Sequence, residues 1–186
     1  RHAVAAMRGP DARPEAIAVT LLYSDVRSFT AFSESRSPTE VIGFLNRIIG
    51  LQVEIIEEHG GDVDKMIGDA VLARFHGDGR ERHAILAAIA IQRAVETSAL
   101  PCGLGVGIFS GPAVAGLIGA SDRYDYTVIG DSVNAAARLC ALARRGEIVA
   151  ASASVAASGV EGFAAAKFVK VEGRAGELSV QARTSI

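Results

Sequence analysis

The stretch HGGDVDKMIGDAVLARF, residues 59–75, contains three aspartates, one lysine and three glycines. Gly60 and Gly61 follow a long helical pattern and mark its end. The segments DVDKMI and AVLARF then have the composition of two short strands, joined by a hairpin turn at Gly68 and Asp69. A helix that leads into a hairpin predicts a sheet with antiparallel neighbours, covered by helices.

The remaining chain also alternates helical and strand patterns. We predict helices from a capping box at Ser37, over residues 81–99, and from a cap at Asp131 or Ser132; strands are predicted from Ile17, in CGLGVGIFSG and in AVAGLIG, with a turn at Gly111 and Pro112. Hairpins interleaved with helices predict an α+β fold with a mixed or antiparallel sheet, and they argue against a doubly wound parallel sheet.

Composition indicates one globular domain. The chain has 186 residues, of which 49% are hydrophobic and 22% charged, with a net charge of −2, and it contains no basic run typical of a nucleic-acid partner. Residues 1–15 are rich in Ala, Arg and Pro and are predicted to be a linker from an upstream region, with the domain over residues 16–186. Two cysteines without metal-binding spacing favour a reducing, cytoplasmic location.

A first candidate site lies in YSDVRSFT, residues 23–30, where Asp25 ends a predicted strand. A carboxylate in that position suits a hard cation such as Mg²⁺. The N–H groups that follow would face outward and bind phosphate oxygens; they belong to Arg27, Ser28, Phe29 and Thr30. The alternative is that Asp25 only caps the next turn.

Asp69, at the tip of the predicted hairpin, is a second candidate. Asp is also common in turns for conformational reasons alone. Neighbouring strand ends could bring Asp69 close to Asp25, and two carboxylates around divalent ions recur in phosphoryl chemistry.

The third candidate pair is Asn134 and Arg138, which are four residues apart on a predicted helix and so share one face. An amide and a guanidinium suit a ribose oxygen and a phosphate. The alternative is a surface helix with a solvated arginine.

The segments SDVRSFT, DKMIGDAVLARF, GVGIFSGPAVAGLIG and RYDYTVIGDSVNAAARL together resemble the class III nucleotide cyclase catalytic domain, strongly over residues 19–139. This resemblance implies a ferredoxin-like, palm-type mixed sheet flanked by helices. It implies conversion of ATP or GTP to a 3′,5′-cyclic nucleotide and pyrophosphate. It also implies that Asp25, Asp69 and the Val26 carbonyl hold two Mg²⁺ or Mn²⁺ ions, while Asn134 positions the ribose and Arg138 stabilises charge on the α-phosphate.

The resemblance also implies which nucleotide base the site recognises. Lys65 stands where adenylate cyclases keep a lysine that contacts adenine N1, and Thr127 stands at its partner position, as in a bacterial subgroup. This pair favours ATP, because the hydroxyl can accept from the adenine amino group. Asp62 and Asp64 are interpreted as structural strand-entry residues.

Two positions depart from the family pattern or match it loosely. Ser28 stands where many relatives have Gly. Arg174, in VEGRAGEL, resembles a basic residue that reaches the phosphates.

Family members work as head-to-tail dimers, so a chain with all these residues implies a homodimer with both sites at the interface. A regulatory or membrane domain upstream is compatible with this interpretation. The alternatives are a guanylate cyclase, an enzyme of mixed specificity, or an inactive module that only dimerises or senses nucleotide.

Overall fold

The computed structural model describes residues 13–120, 123–170 and 176–184, and these contain eight strands and five helices. The elements are β1 (Glu15–Val26), α1 (Phe29–Glu34), α2 (Pro38–Glu58), β2 (Asp62–Ile67), β3 (Ala70–Phe75), α3 (Arg80–Thr97), β4 (Leu104–Ala120), β5 (Arg123–Ile129), α4 (Asp131–Leu142), β6 (Glu147–Ala151), α5 (Ser152–Ser158), β7 (Lys167–Lys170) and β8 (Glu177–Thr184). Within these ranges, none of the helices has the length and apolar character needed to cross a membrane. Residues 1–12 are not among those described, so the linker over residues 1–15 stays a prediction.

All eight strands belong to one mixed sheet, in which seven follow the order β2–β3–β1–β4–β6–β8–β7 and β5 pairs with β4 outside this order. At its centre β1 pairs antiparallel with β4 over the whole of Glu15–Val26. The edge of β4 opposite β1 has two partners. The first part of β4 pairs in parallel with β6, and the last part pairs antiparallel with β5. The predicted α+β class with a mixed sheet is therefore confirmed.

Alternating side chains of the central strands fill two separate cores. Leu22 and Val71 face one side, where α2, α3 and α5 pack on the sheet. Leu21 and Leu72 face the other side, which is covered by α4 through Ala135, Ala136 and Leu139. Because successive residues of a strand point to opposite faces, this near-continuous apolar sequence is explained by burial on both sides.

The predicted capping box at the start of α2 is confirmed. The Glu40 N–H donates to the Ser37 hydroxyl, and the Ser37 N–H donates back to the Glu40 carboxylate at 3.0 Å. The Ser37 hydroxyl also donates to the Glu40 carboxylate at 2.7 Å, and this bond, together with the one from the Ser37 N–H, lowers the pKa of Glu40. The box satisfies helix N–H groups that would otherwise have no partner in the chain.

The turn predicted at Gly111 and Pro112 is wrong, because β4 runs through both residues as one strand. On one edge, Gly111 and Pro112 stay in register with Val19 and Ala18 of β1. On the other edge, β6 pairs with residues 105–108 and β5 with residues 114–120, so Pro112 falls between the two partners. A proline there interrupts neither ladder on that edge.

The predicted cap of α4 also differs from the observed one. Gly130 is the N-cap residue and no side chain caps the helix. The Ser132 hydroxyl donates instead to the Pro112 carbonyl at 2.7 Å, so it ties the first turn of α4 to β4.

The contact between β4 and α4 is tight enough to require glycine at position 107. A Cβ at Gly107 would meet backbone atoms of Ala136 and Cys140 in α4. We expect Gly107→Ala to lower the free energy of unfolding by about 3 kcal/mol, because backbone cannot yield as a side chain does. Urea unfolding followed by circular dichroism measures the change.

Gly50→Ala is the matched control, since a Cβ at that α2 position meets nothing within 4 Å. Alanine should stabilise the helix there by up to about 1 kcal/mol. Equal stability of Gly107→Ala and the unsubstituted chain would contradict the close packing of α4 on β4.

Candidate active site

Asp25 and Asp69 meet at one edge of the sheet. β1 carries Asp25 next to its last residue, and β3 pairs beside it with Ser24 opposite Val71. The β2–β3 turn, formed by Gly68 at φ 61° and Asp69, therefore lies beside the end of β1. The side chains of Asp69 and Asp25 lie close enough for Asp25 to raise the pKa of Asp69. The structure thus brings together the two acids that the sequence singled out.

The acid pair carries an excess of negative charge. Burial raises the pKa of Asp69, and the neighbouring Asp25 carboxylate raises it further; the N–H groups of Asp69 and Val26 act in the opposite direction. The pKa of Tyr23 is also raised, first by burial and then by Cys140, Asp25 and Asp69. Sequence reasoning missed Tyr23, whose only signal was its position two residues before Asp25, on the same face of β1.

The acid pair fits a divalent cation. Carboxylate oxygens are the ligands that Mg²⁺ and Mn²⁺ prefer, and a cation would relieve the repulsion that raises the pKa of Asp69. Across the described ranges there is no cluster of three or more acidic, His or Cys side chains, so these two acids would be joined by backbone, water or substrate oxygens. Val26 contacts Asp69 through its N–H, and the role of its carbonyl as a ligand stays a prediction.

Arg27 points inward, and its N–H, one of the groups predicted to bind phosphate, has a partner within the chain. Its N–H donates to the Gly103 carbonyl at 2.8 Å. Its guanidinium donates to the Cys140 carbonyl at 2.7 Å and lies 3.4 Å from the Asp25 carboxylate. Gly105 makes room for it, because a Cβ there would overlap the guanidinium. Arg27 therefore links the acid pair to the end of α4.

The next residues form the turn into α1. Ser28 adopts the left-handed conformation with φ 63° and ψ 25°, which explains why glycine suits this position. Ser28 and Thr30 are exposed, whereas Phe29 is half-buried against the core under α2 and α3. Phosphate binding by these residues stays a prediction.

Lys65 and Thr127 meet through a third residue, Asp64. The Thr127 hydroxyl donates to Asp64 Oδ2 at 2.6 Å, and Lys65 Nζ lies 3.4 Å from the same oxygen. The Asp64 side chain is fully buried. The interpretation of Asp64 as a strand-entry residue missed this role, because nothing in a six-residue strand reveals that β5 lies across from it.

Asn134 and Arg138 lie one turn apart on α4, where Asn134 is exposed and Arg138 half-buried. Within the described ranges their side chains make no hydrogen bond or ion pair with the acid pair or with Asp64, Lys65 and Thr127. Arg174 lies outside the described residues.

Two carboxylates that meet at adjoining strand ends are an arrangement found in enzymes that act on nucleotide phosphates. The chain belongs to the family described as "Adenylate and Guanylate cyclase catalytic domain", which matches residues 13–184. The resemblance seen in the sequence is thereby confirmed.

Known relatives agree with this assignment. An adenylate cyclase of Anabaena cylindrica is 38% identical over 68% of this chain and 28% of its own length. The solved guanylyl cyclase Cya2 superposes with a TM-score of 0.84 at 27% identity, covering 90% of this chain and 92% of its own. The adenylyl cyclase CyaB from P. aeruginosa gives 0.84 at 25% identity, covering 94% and 97%. The mixed α+β fold matches these cyclase structures, and the chain spans about a quarter of the length of its curated relatives.

Binding of Mn²⁺ tests the acid pair directly. We expect Mn²⁺ to raise the melting temperature of the domain, because an ion that binds only the folded state stabilises it. Asp69→Asn should abolish this rise and should increase stability without metal, since one of two adjacent charges is removed. Differential scanning fluorimetry across a Mn²⁺ titration measures both effects.

Asp78→Asn is the control, because Asp78 is an exposed carboxylate between β3 and α3. It should keep the full Mn²⁺ response. An equal response from Asp69→Asn would show that the metal binds elsewhere.

Proposed function

We propose that this domain is an adenylate cyclase, which converts ATP to 3′,5′-cyclic AMP and pyrophosphate. The family includes enzymes for ATP and for GTP, and solved relatives of both kinds share the fold. The choice therefore rests on the residues suited to the base. The observation that carries it is that Lys65 and Thr127 meet on one buried carboxylate, Asp64.

The chemistry of that pair matches adenine. The ammonium of Lys65 is a donor without acceptor capacity, and adenine N1 is an acceptor. The Thr127 oxygen can accept from the adenine amino group, a donor that guanine replaces with a carbonyl oxygen. The identified adenylate cyclase from Anabaena cylindrica supports the same substrate.

In this proposal Asp25 and Asp69 hold two Mg²⁺ or Mn²⁺ ions, with Val26 as a further ligand. The ions supply a lowered pKa for the ribose 3′-hydroxyl and charge stabilisation for the phosphates. Arg27 holds Asp25 in place from behind at 3.4 Å, while its Nη2 donates to the Cys140 carbonyl of α4 at 2.7 Å.

Asn134 and Arg138 complete the site from α4. Asn134 positions the ribose, and the Arg138 guanidinium stabilises the negative charge that develops on the α-phosphate. Both side chains lack hydrogen-bond partners among the described residues, so they are available to a substrate.

The working unit in this proposal is a homodimer. Within the described ranges, Asn134 and Arg138 make no hydrogen bond or ion pair with the acid pair of their own chain. Large apolar side chains are also exposed at the ends of β2, β4 and β5, including Met66, Ile67, Ile118 and Tyr124. A second copy of the chain would cover such residues and bring one chain's Arg138 to the other chain's acids.

A cytoplasmic location belongs to the same proposal. Both cysteines are unpaired and buried, which suits a reducing compartment. Regulatory or membrane regions elsewhere in the parent protein are compatible with it, since the curated relatives are about four times as long as the part they share with this chain.

Product analysis tests the reaction. Incubation with ATP or GTP and Mg²⁺ or Mn²⁺, followed by chromatography, should give cyclic AMP in preference to cyclic GMP. Asp25→Ala, Asp69→Ala and Arg138→Ala should each lower turnover by about a hundredfold or more, because each removes stabilisation of transition-state charge. Preferred formation of cyclic GMP would assign the domain to guanylate cyclases, and the absence of both products would leave an inactive cyclase-like module.

Complementation tests the shared site. A mixture of Asp25→Ala and Arg138→Ala chains should recover up to about one quarter of full activity, because each heterodimer has one intact site. A mixture of Asp25→Ala and Asp69→Ala chains is the control and should stay inactive, since both sites then lack an acid. Recovery in neither mixture, with dimers present in sedimentation measurements, would contradict a site shared between chains.

A further inference from the structure

A β-bulge at Asp64 redirects the chain on β2. Val63 pairs with Ala73 of β3 and Lys65 pairs with the adjacent Leu72, so Asp64 is the extra residue between them. Ala73 and Leu72 face opposite cores. In a regular strand Val63 and Lys65 would share one face; the bulge moves Lys65 to the face of Leu72, away from the core under α2 and α3.

The carboxylate of this bulge residue is fully buried and surrounded by donors. Oδ2 accepts from the Thr127 hydroxyl at 2.6 Å and faces Lys65 Nζ at 3.4 Å. Oδ1 lies 3.6 Å from Arg74 Nη1 and has no hydrogen bond among the described residues. Two cations therefore balance a charge that would otherwise be costly to bury.

Arg74 is itself held in place from two sides. Its Nε lies 3.8 Å from the Asp62 carboxylate, and its guanidinium lies 5.1 Å from the centre of the Tyr126 ring. The contact of Asp64 with Thr127 joins β2 to β5, and the contact of Arg74 with Tyr126 joins β3 to β5, although β5 pairs with β4 in the sheet. The position of the Thr127 hydroxyl is thus fixed by side chains from another strand.

The hydrogen bond to Asp64 also fixes which role the hydroxyl plays. A threonine hydroxyl has one donor hydrogen, and an ionised carboxylate can only accept. Once Thr127 donates to Asp64, its oxygen offers only lone pairs to a further partner. A free threonine could instead rotate and donate to the carbonyl oxygen of guanine.

We infer that Asp64 is a specificity-determining positioning residue, which rests on the proposed adenylate cyclase function. It acts through Thr127 and Lys65: it commits the hydroxyl to accept from the adenine amino group and holds the ammonium beside it. With guanine, the Thr127 oxygen, an acceptor, would face the guanine carbonyl oxygen. The Lys65 ammonium, a donor, would face the guanine N1–H. The bulge residue therefore excludes GTP without contacting the base.

The ratio of kcat/KM for ATP to kcat/KM for GTP tests this role. In Asp64→Asn the side chain keeps its size, but its amide can donate to the Thr127 oxygen and free the hydroxyl hydrogen. We expect the ratio to fall about tenfold or more. General damage to packing would lower both values together and leave the ratio unchanged.

Asp62→Asn is the matched control. Asp62 lies on the same strand and also faces Arg74, but it is exposed and contacts neither Lys65 nor Thr127. This variant should keep the ratio of the unsubstituted domain. A fall as large as that in Asp64→Asn would overturn the inference, because it would show an effect of charge alone.

A double-mutant cycle with Thr127→Val tests the route. Thr127→Val removes the hydroxyl and should itself lower the ratio; Asp64→Asn should then lower it little further, because the hydroxyl is already gone. Additive losses in the double variant would show that Asp64 acts by another path. If Asp64→Asn does not fold, Asp64→Asn/Arg74→Gln also removes one of the cations left without a counter-charge, and the same fall is expected.

The two proposals fail in different ways. An unsubstituted domain without preference for ATP would overturn both the adenylate assignment and the role of Asp64. A domain that prefers ATP, but whose ratio is unchanged by Asp64→Asn or by the double variant with Arg74→Gln, would overturn the role of Asp64 alone.

Discussion

The antiparallel pairing of β1 with β4 over Glu15–Val26 is the constraint on which the site depends. It fixes the end of β1, and with it Asp25, against the start of β4. It also lets β4 extend past β1 and carry β5, the strand of Thr127, towards β2. β4 also supplies Gly105 and Gly107. Because they have no side chain, the Arg27 side chain packs against Gly105 and the backbone of α4 packs against Gly107. One ladder therefore sets the positions of Asp25, of Thr127 and of the helix α4.

Two groups of carboxylates on this scaffold differ in how their charge is balanced. Asp64 is buried between Lys65 and Arg74, so its charge is compensated within the chain. Asp25 and Asp69 are adjacent to each other, and Arg27 contacts only Asp25, at 3.4 Å. A compensated carboxylate is suited to hold neighbouring side chains, whereas an uncompensated pair is suited to bind a cation. The difference follows from the cations nearby, since all three residues are aspartates.

Local signals in the sequence were sufficient for much of the fold. Glycines and the alternation of residue types predict the bounds of β2 and β3. The spacing of Ser37 and Glu40 predicts the capping box of α2. Each of these signals acts within a few residues. The prediction of a turn within β4 was wrong. Pro112 is tolerated in the strand because β6 and β5 pair with β4 on either side of it, and both strands are distant from Pro112 in sequence. The short helices α1 and α5 were missed because six or seven residues give too little periodicity to detect.

For the site, the sequence identified residues but not their contacts. Asp25 and Asp69 do meet, as strand ends suggested. The inward direction of Arg27 depends on space left by Gly105, which lies on another strand. The link from Asp64 to Thr127 spans 63 residues and depends on a bulge, so no local pattern could reveal it.

The contact between Arg27 and Cys140 has a practical consequence. Burial raises the pKa of Cys140 to about 12, and its thiol donates to the Gly105 carbonyl at 3.2 Å while Arg27 donates to its sulfur at 3.1 Å. Since the thiolate is the reactive form, this cysteine is shielded from alkylating reagents as long as α4 stays docked on β4. The rate at which Cys140 is alkylated therefore measures how often α4, the helix that carries Asn134 and Arg138, separates from β4.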